Sequence, residues 1–230
     1  LIYKATEMVN FAQGVLMLVG AFVGYGFVVL WDWPFILGVG ATLAVMAVLG
    51  VVLERLIVRP MIGEPPFAVL MLTIGLGFVL RSVAGAIWGN EPKSVPAPYA
   101  GEVVHIGTVS VGMENIAIVL GTAVLCTLLF VFFRYSRIGI AMQAASQNQL
   151  AAFYVGIPVK RIFALVWGLS AVISAVAGIL VAPVSLIDPN MGFVGIKAFA
   201  AAIVGGFGSL PGAIIGGLTI GIVEQFAGFY

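Results

Sequence analysis

Arg134-Tyr-Ser-Arg137-Ile-Gly-Ile-Ala141-Met-Gln-Ala144-Ala145-Ser-Gln-Asn148-Gln-Leu-Ala151-Ala152-Phe-Tyr-Val-Gly156-Ile157-Pro158-Val-Lys160-Arg161 is a polar island in a chain that is 62% hydrophobic. It carries four basic residues and no acidic one. Apolar runs long enough to cross a bilayer lie on both sides, so the island is a connection at one membrane face, and its basic charge places that face in the cytoplasm. It is the largest cytoplasmic surface in the chain. Ala144 to Val155 is built from helix formers, with small residues at Ala141, Ala144, Ala145, Ala151 and Ala152. Gly156 supplies a stop and Pro158 opposes continuation. The expectation is one short helix along the membrane surface, whose small residues let the groove of another protein close around it. A helix resting on lipid would instead show bulky apolar residues opposite a basic face.

Composition sets the class. Mean hydropathy is +1.21 and charged residues make up 8% of the 230 positions, against about 25% in a soluble domain. At about 20 apolar residues per crossing, a chain of this length holds roughly six spans joined by short loops. The fold expected is all-α: a polytopic transmembrane helical bundle, residues 1–230 forming one domain. A net charge of +1, with the basic residues at span ends, argues against nucleic acid as a partner. The lone Cys126 cannot form an intrachain disulfide and reads as a small buried hydrophobe.

The runs follow in order. Met8 to Leu30 ends at Trp31-Asp-Trp-Pro34, an aromatic interfacial anchor followed by a helix breaker. Phe35 to Val58 finishes at Glu54-Arg55 and Arg59-Pro60, which puts that end inside. Phe67 to Trp88 travels outwards and carries Thr73 and Arg81. The outer connection from Gly89 to Glu114 contains Val103–Ile106 and Thr108–Val111 flanking Gly107, a candidate small hairpin. Asn115 to Phe133 returns to Arg134 at the cytoplasmic face, and Ile162 to Val184 leads out to the turn Ser185–Asn190. The pattern then breaks. Ile196 to Val204 is too short to cross alone, Gly205-Gly-Phe-Gly-Ser-Leu-Pro-Gly212 interrupts it, and Ala213 to Phe226 resumes. Such a broken or re-entrant segment is tolerated at membrane depth only where protein covers the backbone or it lines a cavity.

Several of these stretches carry a resemblance. Ala145-Ser-Gln-Asn148, Ala151, Gly156-Ile157 and Val159 resemble the coupling segment of permease subunits of bacterial ABC importers for branched-chain amino acids. Val9–Gly14, Arg59-Pro-Met61, Pro189-Asn-Met-Gly192, Lys197-Ala-Phe199 and, most specifically, Val204-Gly-Gly-Phe-Gly-Ser-Leu-Pro-Gly-Ala213 extend the likeness over nearly the whole chain. The resemblance implies a multi-pass permease of the bacterial plasma (inner) membrane. It implies a pathway formed with a second permease subunit, as homodimer or heterodimer, together with ABC ATPase subunits and an extracytoplasmic substrate-binding protein. Ala144, Ala145, Asn148, Ala151, Gly156 and Ile157 would couple to the ATPase. The family range covers branched-chain amino acids, other amino acids and amides such as urea. It also implies a helix before Leu1 and another after Tyr230, so the stretch reads as a fragment.

Functional candidates stand beside structural readings. Asn10 and Gln13 share one helix side and offer amides either to a polar path or to a neighbouring span. Thr73 is a further pathway candidate. Gly205, Gly206, Gly208 and Pro211 belong to the interrupting turn, expected to pack near the path, since a solvent loop would expose Phe207 and Leu210. Arg81 snorkels outwards or serves the pathway. Lys197 is expected to pair with the turn at Asp188 or to anchor at the interface. Glu224 is the most embedded carboxylate, either functional or structural at the inner end of its helix. The glycines are read as intrachain helix packing or as a dimer interface. No catalytic residue, metal cluster or phosphate-cradling loop is expected, so no cofactor binds here and ATP is used by a partner subunit. The alternative is an ion-coupled secondary transporter of small polar solutes relying on Glu224 or Arg81.

Overall fold

A computed structural model describes residues 2, 9–106 and 109–229; the side chains of Pro66, Ile106, Val109, Leu210 and Phe229 lie outside that description. So do the start of the first run at Met8, the opening stretch apart from Ile2, the turn at Gly107 and Thr108, and Tyr230. Helix α1, Gln13–Tyr25, continues through a π-helical turn at Gly26–Leu30. Helix α2, Phe35–Leu53, continues through a π turn at Glu54–Val58 and a 3-10 turn at Arg59–Met61. Helix α3 is Pro66–Trp88. Strands β1, Val103–Ile106, and β2, Val109–Gly112, pair antiparallel with Val103 opposite Gly112 and His105 opposite Ser110. Helix α4 is Met113–Tyr135, α5 Arg137–Gln147, α6 Gln149–Tyr154 and α7 Val159–Val181. A 3-10 turn at Pro189–Phe193 leads into α8, Val194–Gly205, and α9, Leu210–Phe229.

Among the described residues, five stretches are long and apolar enough to cross a membrane: Gln13–Leu30, Phe35–Met61, Phe67–Trp88, Met113–Tyr135 and Val159–Val181. They correspond to the five runs expected from hydropathy. The basic ends gather on one side, as the positive-inside bias requires: Arg59 at the foot of α2 donates to the Lys160 carbonyl at the foot of α7, 3.2 Å. At the other side Phe27, Trp31 and Trp33 form an aromatic cluster with centroids 5.0 to 6.2 Å apart. In the outer connection, burial and then the nearby Glu114 carboxylate hold the Tyr99 hydroxyl above its ordinary range.

The core lies where α1 and α2 pack on α7, with Phe22, Leu16, Met46 and Trp167 fully buried. Without a hydrophobic drive between lipid-like surfaces, such helices associate through close packing. A Cβ on Gly50 would stand 2.5 Å from the Trp167 carbonyl oxygen, and one on Gly178 2.4 Å from that of Met17. These glycines therefore serve packing within one chain. Gly216 packs likewise on Ala201, whereas Gly217 and Gly221 face open space.

The break near the C-terminus is present. Helices α8 and α9 form an antiparallel hairpin, with Gly205 against Gly212 at its tip and Lys197 paired to Glu224 further along. Two expectations are corrected here. Asp188 does not hold Lys197: its side chain caps the Pro189–Phe193 turn, and Glu224 is the partner. Nor is Glu224 at the inner end of its helix, because α8 starts from the outer turn and α9 runs back towards it.

Candidate functional site

The cytoplasmic segment is two helices rather than one. Helix α5 is capped by Ser136, whose hydroxyl accepts from the Gly139 N–H at 2.8 Å, and Gln143 donates to the Phe133 carbonyl at 2.7 Å, tying α5 to the foot of α4. At Asn148 the backbone turns extended (φ −156°, ψ 106°) and its side chain accepts from the Ala151 N–H at 2.9 Å. The residue that reads as a helix interior is therefore the N-cap of α6, a role that Asn favours because its side chain competes for backbone N–H groups. Gly156, at φ +87°, ends α6 in a Schellman motif: its N–H reaches the Phe153 carbonyl at 3.0 Å and that of Ile157 the Ala152 carbonyl at 2.9 Å.

Burial reverses part of the expected pattern. Ala145 and Ala152 are buried, packed with Met142 against Val58, Phe133, Ile162, Val166 and Trp167 of the same chain. Of the other coupling candidates, Asn148, Ala151 and Gly156 are exposed and Ala144 and Ile157 half-buried. The outer face of α6 is bulky: Leu150, Phe153, Tyr154 and Val155 are 66 to 82% exposed. These four were missed by the sequence reading, although Leu150, Phe153 and Tyr154 stand at i, i+3, i+4, the spacing of a single helix face.

Above this surface lies a cavity of about 290 Å³ whose lining includes Asn10, Gln13, Ser170, Phe199, Gly206 and Gly208. Leu129 and Phe133 also line it; Leu129 is about 9 Å, six residues of helical rise, from the cytoplasmic end of α4, so the cavity occupies the inner half. The Gln13 amide joins α1 to α7. Its Nε2 donates to the Ser170 carbonyl at 3.3 Å and to the Ser174 hydroxyl, while its Oε1 accepts from the Ser170 hydroxyl at 2.9 Å and from Asn10 Nδ2 at 3.4 Å. The structure thus brings together Asn10, Gln13, Gly206 and Gly208. Thr73, Gly205 and Pro211 do not line the cavity. Thr73 is buried between α3 and the start of α1, accepting from the Phe11 N–H at 3.2 Å and donating to the Leu70 carbonyl at 2.9 Å. Gly205 is occupied in contact with Gly212, and Pro211 lies in the first turn of α9.

Three aromatic rings close the region. Phe207, in the hairpin tip, lies 5.4 Å from Phe199, and Phe199 lies 4.7 Å from Phe11. Phe199 faces the inner cavity, and Phe11 faces a separate small pocket with Val15 and Ile196. Gly206, Phe207 and Gly208 of the tip are therefore part of the wall of a cavity. At the foot of α2, Glu54 is fully buried, its carboxylate gripped by Arg59 through Nε at 3.1 Å and Nη2 at 2.7 Å.

Multiple apolar spans, an interior cavity carrying amide and hydroxyl groups, and a broken helical hairpin at its wall define a multi-pass membrane permease. Comparison with known proteins narrows this. The family description "Branched-chain amino acid transport system / permease component" matches residues 1–230. The permease LivH of the high-affinity branched-chain amino acid transport system of Escherichia coli K12 is 30% identical over 244 aligned residues, spanning all of this chain and 79% of that protein. BraD of Pseudomonas aeruginosa, named likewise, is 29% identical over 98% of this chain and 78% of its own length. XylH of Sulfolobus acidocaldarius, a xylose/arabinose import permease, is 32% identical over 70% of this chain and 45% of its own. No solved structure matches. The chain belongs to the family of permease components of branched-chain amino acid transport systems. It is a multi-pass inner-membrane protein and a transport subunit.

Proposed function

We propose that this chain is the membrane-spanning half of an ATP-driven importer for branched-chain or related amino acids. A second permease subunit completes the pathway, cytosolic ABC ATPases hydrolyse ATP and dock on α5 and α6, and an extracytoplasmic binding protein delivers substrate. No cofactor is bound by this chain. The observation that carries the reading is the Gln13 cluster: it ties α1 to α7 beside the inner cavity, and α7 follows directly from the cytoplasmic helices. Movement of α5 and α6 is therefore delivered to the wall of the cavity through a packed helix. Ala144, Asn148, Ala151, Gly156 and Ile157 act at the docking surface, with Ala145 securing α5 to the chain's own core. Asn10, Gln13, Gly206 and Gly208 line the inner part of the path. Thr73, Gly205 and Pro211 shape that path indirectly, by fixing the start of α1 and the hairpin tip.

In this reading the contact of Phe11 with Phe199, ring centroids 4.7 Å apart, closes the way between the outer pocket and the inner cavity. Alternating access requires those rings to part when ATP binding favours the other arrangement, which it can do only through differential contacts at the docking surface. Glu224 is already ion-paired with Lys197, which leaves the ion-coupled alternative without a free embedded carboxylate at that position.

The test is reconstitution of the full-length chain with its ATPase, second permease and binding protein, measuring hydrolysis and uptake across amino acids, amides and pentoses. Hydrolysis stimulated by a branched-chain amino acid, and uncoupled from uptake by a bulky residue at Gln13, is the expected result. Uptake that follows an ion gradient and ignores ATP depletion overturns the reading.

A further inference from the structure

At the outer end of α3 an open cavity of about 910 Å³ lies between that helix and the turn preceding α8. It contains two charges of opposite sign, Arg81 and Asp188, with Asn190 between them. Arg81 stands seven residues before the end of α3, about 10 Å of helical rise inside it. Its Nη2 donates to Asn190 Oδ1 at 3.1 Å, and the guanidinium sits 5.2 Å from the centroid of the Phe193 ring. A snorkelling arginine directs its head away from the bundle along lipid; this one is turned onto the elements that bound the cavity. Asp188 spends one oxygen, Oδ1, on the backbone N–H groups of Asn190 at 2.7 Å and Met191 at 2.9 Å. Its second oxygen has no hydrogen-bond partner among the described residues.

Among the described residues, neither charge has an ionic partner. The ion pairs among the described residues are Glu54 with Arg59 and Lys197 with Glu224. Lys93 approaches through its backbone, paired with Ile187, but its ammonium lies over the Tyr25 ring, 5.8 Å from the centroid. Beneath the open cavity is the small pocket of about 130 Å³ that Phe11 faces, sharing Phe78, Arg81 and Pro189 with it and walled by Val15, Ile74, Phe193 and Ile196. Among the described residues, a cation and an anion without ionic partners thus face one open cavity above an apolar slot. Both are half-buried and reachable from that cavity, so a ligand carrying both charges can meet each of them.

We propose that this outer site receives the zwitterion of an aliphatic α-amino acid, an inference that rests on the importer reading above. The α-carboxylate accepts from the Arg81 nitrogens not engaged by Asn190, a charge-assisted contact that the fork geometry of arginine favours. The α-ammonium donates to the free oxygen of Asp188. The side chain enters the slot against Phe78, Ile74 and Phe193, directly above the Phe11–Phe199 closure. A pentose has no charge for either group and too many hydroxyls for the slot, so the site discriminates against the sugar that one relative carries.

The experiment measures calorimetric binding to the complete permease–ATPase complex in lipid nanodiscs, without the binding protein. The probes are L-leucine, 3-methylbutylamine, which lacks the carboxylate, 4-methylpentanoate, which lacks the ammonium, and D-xylose. Two variants preserve local structure: Asp188→Asn keeps a good capping residue, and Arg81→Gln keeps a donor towards Asn190. L-leucine is expected to bind about ten- to a hundredfold tighter than either analogue. Asp188→Asn should weaken leucine by a similar factor and leave 4-methylpentanoate unchanged; Arg81→Gln should weaken leucine and leave 3-methylbutylamine unchanged. Equal affinities for leucine and both analogues, a uniform loss for every probe in the variants, or tight D-xylose binding indifferent to both substitutions would each overturn the site. So would absence of leucine binding to the wild type, and hydrolysis stimulated by the loaded binding protein would then show that the importer reading itself still stands.

Discussion

Replacing Arg59 with Met should unfold this protein far more readily than its position at a span end suggests. The side chain of Glu54 is 1% exposed and that of Arg59 32%, and both carboxylate oxygens are spent on the guanidinium. Arg59→Met therefore leaves a buried carboxylate with neither hydrogen bond, and removing one member of a buried pair typically costs 3–5 kcal/mol. The partial wetting of Arg59 moves the expectation to the lower end, about 3 kcal/mol, or a more than hundredfold change in the unfolding equilibrium. The double variant Glu54→Met with Arg59→Met removes the stranded charge and should recover most of the loss, because apolar replacement of a whole buried pair is often neutral. The assay is reversible unfolding of the solubilised protein by increasing SDS, followed by tryptophan fluorescence, with Trp167 close by in the core. A single variant within about 1 kcal/mol of wild type, or a double variant as unstable as the single, would refute the account of a desolvated carboxylate at this site.

Gly178→Val places carbon atoms where the Met17 carbonyl oxygen already stands 2.4 Å from an added Cβ, and should cost about 1–3 kcal/mol or more in the same SDS titration. Gly156→Ala forces a side chain into left-handed backbone, at a cost of about 1–2 kcal/mol; faster amide exchange over residues 149–158 and weaker substrate-stimulated hydrolysis are the expected readouts. Phe153→Ala with Tyr154→Ala should reduce ATPase-subunit association at least tenfold, since truncating an aromatic hot spot costs about 2 kcal/mol or more, while membrane insertion is unchanged; full association in that variant would show that the bulky face of α6 is not the docking surface. Tyr99 should titrate above the ordinary tyrosine range in an ultraviolet difference titration. Its raised folded-state pKa contributes stability that is present below the unfolded pKa and lost as pH rises through the folded value. Glu114→Gln should lower that titration without restoring the ordinary range, because burial is the larger cause.

Hydropathy alone located the five long spans found among the described residues, and the positive-inside bias gave the direction expected of each, because bilayer thickness and surface charge act on each segment independently. Local chemistry was nearly as legible: Gly156 followed by Pro158 ends a helix, and the glycine run at Gly205–Gly212 interrupts one. Even so, Asn148 was misread as a helix interior. Its neighbours are helix formers, and propensity could not register that its side chain would cap the next turn at Ala151.

What the chain could not announce was which side of a segment meets which neighbour. Ala145 and Ala152 read as a surface for a partner, yet a buried cluster drawn from α2, α4 and α7 claims them and leaves Phe153 and Tyr154 outside. Gln13 showed an amide facing one way, but its partners Ser170 and Ser174 lie 157 and 161 residues along. Lys197 found Glu224 rather than Asp188 because an antiparallel hairpin sets α9 beside α8. The sequence by itself determined the spans, their direction and their stops, since these depend on residues acting alone against lipid or water. The buried polar cluster, the ion pairs and the two cavities were decided by tertiary structure, since each requires groups distant in the chain to be held within a few ångströms by helices packed through glycine.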